Sequence, residues 1–241
     1  MGNTVLTLYH EIAHALVDLF GLPVLGAEEI AADTFAIIEM LDQMEVLDSD
    51  ATGQARYRAY FEAGADAWIR SIEERGELEF EDFQGEHPVD EARLYDMICL
   101  LVGYDAAQYG YLGEYYGLDE DYAEDCEIVY NVARSDWLTL LDRAGAFQDE
   151  ADASTAFDLN IIFEPSDDPA MDRFRAQAET SELLQTVQTS FSGFYDLETP
   201  LTVRFLSCGE ENAFYDPETK EVEMCYELMA SYHRYWGTAQ D

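Results

Sequence analysis

The segment from Val5 to Phe20 constrains the fold of this 241-residue chain more than any other segment. Asn3 or Thr4 can cap a helix here, and Gly21 followed by Pro23 can end it. Its apolar residues recur at helical spacing, at Val5, Leu8, Ile12, Leu16 and Phe20. Because apolar side chains surround almost the whole helix, the helix must be buried. We therefore expect a fold built around a buried helix that also carries two histidines and a glutamate.

Those polar residues are His10, Glu11 and His14. Their spacing places both imidazoles on one helix face, where both can hold one metal ion. Glu11 lies one step around the helix, which is the position of a general base that takes a proton from a metal-bound water. A catalytic zinc ion has three protein ligands and one open position, so the third ligand must lie elsewhere. The pattern predicts a site for one zinc ion.

The next helix, which opens after Gly26, offers the missing ligand. Glu29 and Asp33 are four residues apart on one of its faces. We predict that Glu29 is the ligand and that Asp33 accepts a hydrogen bond from the far nitrogen of a ligating histidine. Glu28 competes for the ligand role, but Ala32, one turn beyond it, can accept no such bond. The alternative is an ordinary buried helix whose two histidines bind no metal. Such polar groups, however, are costly to bury without a partner.

The chain is strongly acidic. It has 52 Asp and Glu against 12 Lys and Arg, a formal net charge of -40, and Lys220 is its only lysine. The electrostatic field of so many negative charges repels phosphate backbones and anionic lipids, which argues against nucleic-acid and membrane-surface partners. The 13% aromatic content favours a packed protein over a disordered one. No apolar run reaches the roughly 20 residues that span a bilayer, and no signal peptide is visible. We expect a soluble protein without membrane insertion.

The first two thirds of the chain are predicted to be mainly helical and the last third mixed. Further helical patterns cover 54–74, 89–102, 122–131 and 136–143. "FDLNIIFEP" and "LTVRFLSC" read as strands on either side of one long helix, "AMDRFRAQAETSELLQTVQTSFSGFYD". A hairpin with its turn at 216–219 and a last helix over 227–236 follow. We predict one α+β domain made of the site helices (1–46), a helical region (52–143), a linker (144–156) and the mixed part (157–241).

"HEIAH" followed by "EIAAD" resembles the HExxH and ExxAD pattern of gluzincins, as in zinc peptidases of the HtpX and CAAX-prenyl-protease type. "YHEIAHALVDLFGLPVLGAEEIAAD", "CGEENAFYDPETKEVEMCYEL" and "DEARLYDMICLLVGYDAAQYG" to "EDCEIVYN" are similar to a bacterial metallopeptidase family filed as a domain of unknown function. The resemblance covers most of the chain. It implies a zincin-like (gluzincin) core with a small, mostly antiparallel sheet and hairpin, an active-site helix and an additional helical region. It implies His10, His14 and Glu29 as zinc ligands, Glu11 as the base and Asp33 as a hydrogen-bonding neighbour.

The resemblance also suggests a substrate site. "ENAFY" resembles the edge strand that lies above the active-site helix in gluzincins, so the backbone of Asn212, Ala213, Phe214 and Tyr215 would bind an extended peptide by strand addition. An ordinary edge strand is the alternative. "EHPVDEAR" is similar to the HPxxxxR stretch of HtpX-type enzymes. His87 and Arg93 are therefore candidates for polarising the substrate carbonyl or occupying the open metal position, against a capping histidine and a surface salt bridge.

The order of the segments departs from that family. There the strand, helix and hairpin precede HExxH, whereas here they follow it, so the sequence looks circularly permuted. The last helix would run through "SYHRYWGTAQD" into "MGNTVLTLYHEIAH", and "AGAFQDEADAS" would join the old ends. Permutation is tolerated when the old termini lie close together. It predicts that Met1 and Asp241 are neighbours in space, and it would explain the missing signal peptide.

The four cysteines contain no CxxC pair, which argues against a cysteine-based zinc site and leaves two disulfides or four thiols. In the fold that the resemblance implies, Cys208 and Cys225 flank the hairpin, whereas Cys99 and Cys126 lie in the helical region. We favour these two pairs among three possible pairings. Paired cysteines imply an oxidising compartment, hence a secreted or periplasmic protein.

The combined prediction is a monomeric, zinc-dependent endopeptidase that acts on a peptide or protein. Glu11 would deprotonate the zinc-bound water and pass the proton to the leaving amine. The rival from another class is a metal-bound but non-catalytic module that holds a peptide or partner protein along "ENAFY".

Overall fold

The computed structural model describes residues 1–24, 26–47, 50–79, 82, 88–147, 159–197 and 199–238. Its helices are α1 (Gly2–Phe20), α2 (Glu28–Leu47), α3 (Ala51–Arg75), α4 (Asp90–Tyr104), α5 (Ala106–Tyr116), α6 (Glu120–Ala144), α7 (Pro169–Glu179), α8 (Glu182–Phe194) and α9 (Tyr226–Thr238). Its strands are β1 (Asn160–Phe163), β2 (Thr202–Leu206), β3 (Ala213–Asp216) and β4 (Glu221–Cys225). The fold is therefore α+β and mostly helical, as predicted.

The chain divides into two compact units. Met1–Pro23 and Leu140–Asp241 form one of them, which we call the sheet unit, and Val24–Thr139 forms the other, which we call the helical unit. Among the residues described, no helix combines the length and apolar character that a membrane crossing requires. Asp241 lies outside the described residues, as do residues 148–156 of the predicted linker.

Helix α1 is the core helix of the sheet unit, as the sequence predicts. Leu8, Tyr9 and Ile12 are fully buried along it. The helix ends at Gly21, whose φ of 59° lies in the left-handed region that glycine adopts without strain. Two of its C-terminal carbonyls are satisfied there, because the N–H groups of Gly21 and Leu22 donate to the carbonyls of Asp18 and Val17.

The sheet has the strand order β1-β2-β4-β3. β1 pairs with β2 and β2 pairs with β4 in parallel, whereas only β3 and β4 are antiparallel. The expectation of a mostly antiparallel sheet is therefore wrong. Helices α7 and α8 connect β1 to β2, and parallel neighbours require such a long crossover. The predicted hairpin is confirmed, and it places β3 at the edge of the sheet.

One face of this sheet is buried and the other is polar. Val203 and Phe205 in β2, and Val222 and Met224 in β4, are almost fully buried. The residues that alternate with them are Thr202, Arg204, Glu221 and Glu223. Because helices α1, α7 and α9 contact strands of this sheet, the apolar face forms the core of the unit.

Two helix predictions are wrong in detail. The long helix predicted between the first two strands is broken at Thr180, and Ser181 starts α8 by accepting a hydrogen bond from the N–H of Leu184. A serine that satisfies a free backbone donor favours a helix start over a continuous helix. Conversely, the two helices predicted over 122–131 and 136–143 are the single helix α6.

The predicted turn at 216–219 is followed by Lys220, which has a φ of 59° and donates its N–H to the carbonyl of Asp216.

Each unit contains one disulfide, in the two pairs that the sequence favoured. Cys99 and Cys126 join α4 to α6 in the helical unit. Cys208 and Cys225 join the segment after β2 to the end of β4 in the sheet unit. Helices α4 and α6 approach closely here, because a Cβ atom on Gly103 would lie 2.1 Å from the carbonyl oxygen of Cys126.

Candidate functional site

Helix α1 brings His10 and His14 together. Their Nε2 atoms lie 3.2 Å apart, and His10 is only 4% exposed. Two nitrogens that each lie about 2.0 Å from one tetrahedral zinc ion are about 3.3 Å apart. The separation of the two rings therefore fits a single ion held between them.

Glu11 is a second buried polar group on this helix, with 6% of its surface exposed. Its neighbours along the chain, Ile12 and Ala13, are fully buried. A carboxylate in such surroundings is costly to keep unless charge or hydrogen bonds compensate it. The role of Glu11 as a general base stays a prediction.

Glu29 lies in the first turn of α2, in the helical unit. That Glu29 joins His10 and His14 as a metal ligand stays a prediction. The competing residue Glu28 is exposed, whereas Glu29 is half-buried. Two imidazoles and one carboxylate are a donor set that zinc takes in catalytic sites.

Asp33 and Arg93 bind each other within the helical unit. Nε and Nη2 of Arg93 each donate to one carboxylate oxygen of Asp33 at 2.7 Å, and both side chains are 17% exposed. The guanidinium also lies 5.2 Å from the ring centre of Trp68. The pair is therefore a half-buried, bidentate contact and not the surface salt bridge considered as an alternative.

The other proposed roles of these residues stay predictions. They are a hydrogen bond from a histidine to Asp33 and contact of Arg93 with a substrate. His87 lies outside the described residues. His233, which the sequence does not place in the site, packs edge-on against Phe174 in the sheet unit.

The edge strand β3 offers backbone groups to a partner. The carbonyl of Asn212 accepts from the N–H of Cys225, so these residues form a hydrogen-bonded pair of the hairpin. Because such pairs alternate along an antiparallel ladder, Ala213 and Tyr215 direct their N–H and C=O groups away from β4. The side-chain oxygen of Asn212 accepts from the N–H of Ala213 at 2.9 Å. The predicted edge strand is confirmed, and its binding of a peptide stays a prediction.

Sequence reasoning named Tyr215 only as a substrate-binding residue and missed the contacts that join this strand and its turn to α1. The Tyr215 hydroxyl donates to Oδ2 of Asp18 at 2.6 Å, and Nζ of Lys220 donates to the same oxygen. We call Asp18, Tyr215 and Lys220 the Asp18 cluster. The hydrogen bond from Lys220, and then that from Tyr215, lower the pKa of Asp18. Burial and the bond to Asp18 raise the pKa of Tyr215. The sequence contained one signal for Asp18. It follows His14 by four residues, as His14 follows His10, so all three residues lie on one face of α1.

Comparison with known families gives one result. Residues 1–141 and 163–241 match the DUF4344 family, whose description reads "Putative metallopeptidase". No curated protein and no solved structure matches the chain significantly. The matched residues include both α1, with its histidine pair, and the β3–β4 hairpin.

Proposed function

This chain belongs to the DUF4344 metallopeptidase family, and on that premise we propose that it is a zinc-dependent peptidase that hydrolyses peptide bonds. The family suggests protease activity, a metal ion and peptide substrates. The observation that carries the proposal is the pair of Nε2 atoms on α1, which are 3.2 Å apart on a buried helix. Glu11 is buried and follows His10 in the chain, and its carboxylate is the proton acceptor that catalysis needs and that metal binding alone does not.

In this proposal His10, His14 and Glu29 hold the ion. A bound zinc ion supplies Lewis acidity, which lowers the pKa of a coordinated water and polarises a carbonyl group. The exposure of Glu28 supports the choice of Glu29 as the carboxylate ligand. Asp33, one helical turn after Glu29, is proposed to orient a ligating imidazole, while Arg93 holds the carboxylate of Asp33 at two points.

Glu11 is proposed to move the proton. As water attacks the peptide carbonyl carbon, the carboxylate of Glu11 accepts a proton from it. When the carbon–nitrogen bond breaks, Glu11 delivers that proton to the leaving amine. Its place in the chain next to His10, a proposed metal ligand, supports this role.

The substrate is proposed to lie along β3 in an extended conformation. Strand addition would use the outward N–H and C=O groups of Tyr215 and the outward C=O of Ala213, whose N–H already donates to the side chain of Asn212. The packing of α1 against β3 and β4 supports a gluzincin-like core, in which the helix of the histidines runs beneath an edge strand. His87 is proposed as a group that polarises the substrate carbonyl.

The Glu11→Gln variant tests catalysis against peptide binding alone. We expect one zinc ion per chain, measured by inductively coupled plasma mass spectrometry, in both the wild type and this variant. We expect the wild type to cleave a peptide library in a chelator-sensitive way, and Glu11→Gln to cleave it at least 100-fold more slowly. Glu28→Gln is the matched control for Glu29→Gln, and only the latter should lose zinc. A zinc-loaded wild type that binds peptides without cleaving them would favour the non-catalytic module.

We further propose that the chain is a circular permutation of a gluzincin-type order. In support, both ends of the chain contribute to the sheet unit, and joining them would make each unit a continuous stretch. Thr7 near the start of α1 and Tyr232 in α9 share a hydrogen bond of 2.8 Å. A permutant that begins near residue 157, with Asp241 joined to Met1 by a short linker, should fold and bind zinc. An unfolded permutant would count against this order.

The compartment is proposed to be extracellular or periplasmic. Two disulfides are compatible with such an oxidising location, as is the lack of a membrane-spanning helix among the described residues.

A further inference from the structure

We propose that the Asp18 cluster fixes β3 at one register along α1 and so selects which peptide bond of a bound substrate faces the histidine pair. Asp18, Tyr215 and Lys220 are then positioning residues that decide specificity. The inference rests on the proposed function, because register matters only if β3 receives the substrate.

The spacing on α1 places the cluster next to the site. Asp18 follows His14 by four residues, so both lie on one helix face about 6 Å apart along the axis. A strand advances about 3.3 Å per residue. One turn of α1 therefore corresponds to about two residues of a strand that follows the helix. In the proposed arrangement, a peptide paired with β3 would reach the level of the histidines within about two residues of the Tyr215 contact.

Two contacts on one carboxylate oxygen hold β3 against sliding. Tyr215 belongs to the strand itself, whereas Lys220 ends the turn that follows it. Lys220 is held by its own backbone, which has a left-handed conformation and a hydrogen bond of 2.8 Å to Asp216. Moving β3 by two residues, the smallest shift that keeps its side chains on the same face, would break both contacts.

Such a shift would move a bound peptide by about 7 Å. Reacting groups must lie within about 3.5 Å of each other, and a misplacement of about 1 Å can cost 100-fold in rate. A loosened β3 should therefore change where a substrate is cut and how fast, with less effect on how tightly it binds.

The choice of residues also fits a specific role. Lys220 is the only lysine in a chain with a net charge of -40, and it contacts the helix that carries the histidines. The side chains of Asp18 and Lys220 are 35% and 37% exposed, and an exposed ion pair contributes little to stability. An ordinary surface pair would leave strand exchange and cleavage sites unchanged, so the two roles predict different results.

The test compares Asp18→Asn and Tyr215→Phe with Arg234→Gln, which removes the exposed contact of Arg234 with Glu211 in the same unit. The first readout is hydrogen exchange of the β3 amides, which needs no activity. We expect the amides of Phe214 and Asp216, which face β4, to exchange at least 3-fold faster in the two cluster variants, and to exchange unchanged in Arg234→Gln and Lys220→Arg. Circular dichroism checks that every variant is folded.

The second readout is the map of cleavage sites in denatured casein, by mass spectrometry, with zinc content measured in parallel. We expect shifted sites and a kcat at least 10-fold lower in the cluster variants, with KM and zinc content close to wild type. Wild-type exchange in β3 of both variants would overturn the inference, even if the enzyme is active. Faster exchange with wild-type cleavage sites and rates would also overturn it. If wild-type protein cleaves nothing, the proposed function fails, while exchange still reports on the cluster.

Discussion

Removing either disulfide should destabilise the protein by an amount that its loop size predicts. The two cysteines of each pair are separated by 27 residues in Cys99–Cys126 and by 17 in Cys208–Cys225. A crosslink lowers the chain entropy of the unfolded state by an amount that grows with the logarithm of the loop length. At 25 °C this corresponds to about 3.5 kcal/mol for the larger loop and about 3 kcal/mol for the smaller one.

The assay is urea unfolding of C99A/C126A and C208A/C225A, followed by circular dichroism. These losses are a large part of the roughly 5–15 kcal/mol that stabilises a typical domain. Reduced wild-type protein is the control, since it loses the crosslinks without losing buried sulfur atoms. Hydrogen exchange should accelerate first in α4 and α6 of one variant, and first in β2 and β4 of the other. A loss below about 1 kcal/mol in both variants would refute the entropic reasoning.

Three further results are expected. Gly103→Ala should destabilise the protein by at least about 1–3 kcal/mol, because its Cβ would meet the carbonyl oxygen of Cys126. Gly110→Ala is the matched helical control, with open space around the new methyl group, and should stabilise by about 0.5–1 kcal/mol in thermal unfolding. Asp18→Asn should lose up to about 1 kcal/mol at pH 7 in urea titrations. Because the pKa of Asp18 is lowered from 3.8, this loss should be full above that pH and vanish as pH falls through the lowered value. A constant difference from pH 7 to pH 2 would contradict it. Zinc at 100 times its dissociation constant should stabilise the wild type by about 2.7 kcal/mol and leave His14→Ala unchanged. Equal gains in calorimetry would argue against a site on α1.

The residues that sequence reasoning found are those that a local pattern specifies. Helical periodicity brings His10 and His14 to one face of α1 whatever the rest of the chain does, because four residues make about one turn. The β3–β4 hairpin was predictable for the same reason, since its turn and two short strands lie within one continuous segment. Both disulfide pairs followed from this organisation, together with a family resemblance.

What could not be predicted depends on long-range packing. Asp33 and Arg93 are 60 residues apart, and Asp18 is 202 residues from Lys220, so no local pattern links either pair. The parallel pairing of β1 with β2 depends on how a helical crossover folds back. Helix α5 was a missed local signal, because Asp105 caps it by accepting from the N–H groups of Ala107 and Gln108.

The division of the sheet unit between both ends of the chain has a consequence for synthesis. The ribosome makes α1 first, but about 115 residues separate Pro23 from the next segment of the same unit. At a synthesis rate of about 5–20 residues per second, roughly 6–23 s pass between the synthesis of this apolar helix and that of the segments it packs against, which begin at Leu140. The helical unit, by contrast, is one continuous stretch and can fold during that wait. The nascent chain therefore exposes the apolar helix α1 early, and its histidine pair gains the β3 edge only after residues 213–216 have been made.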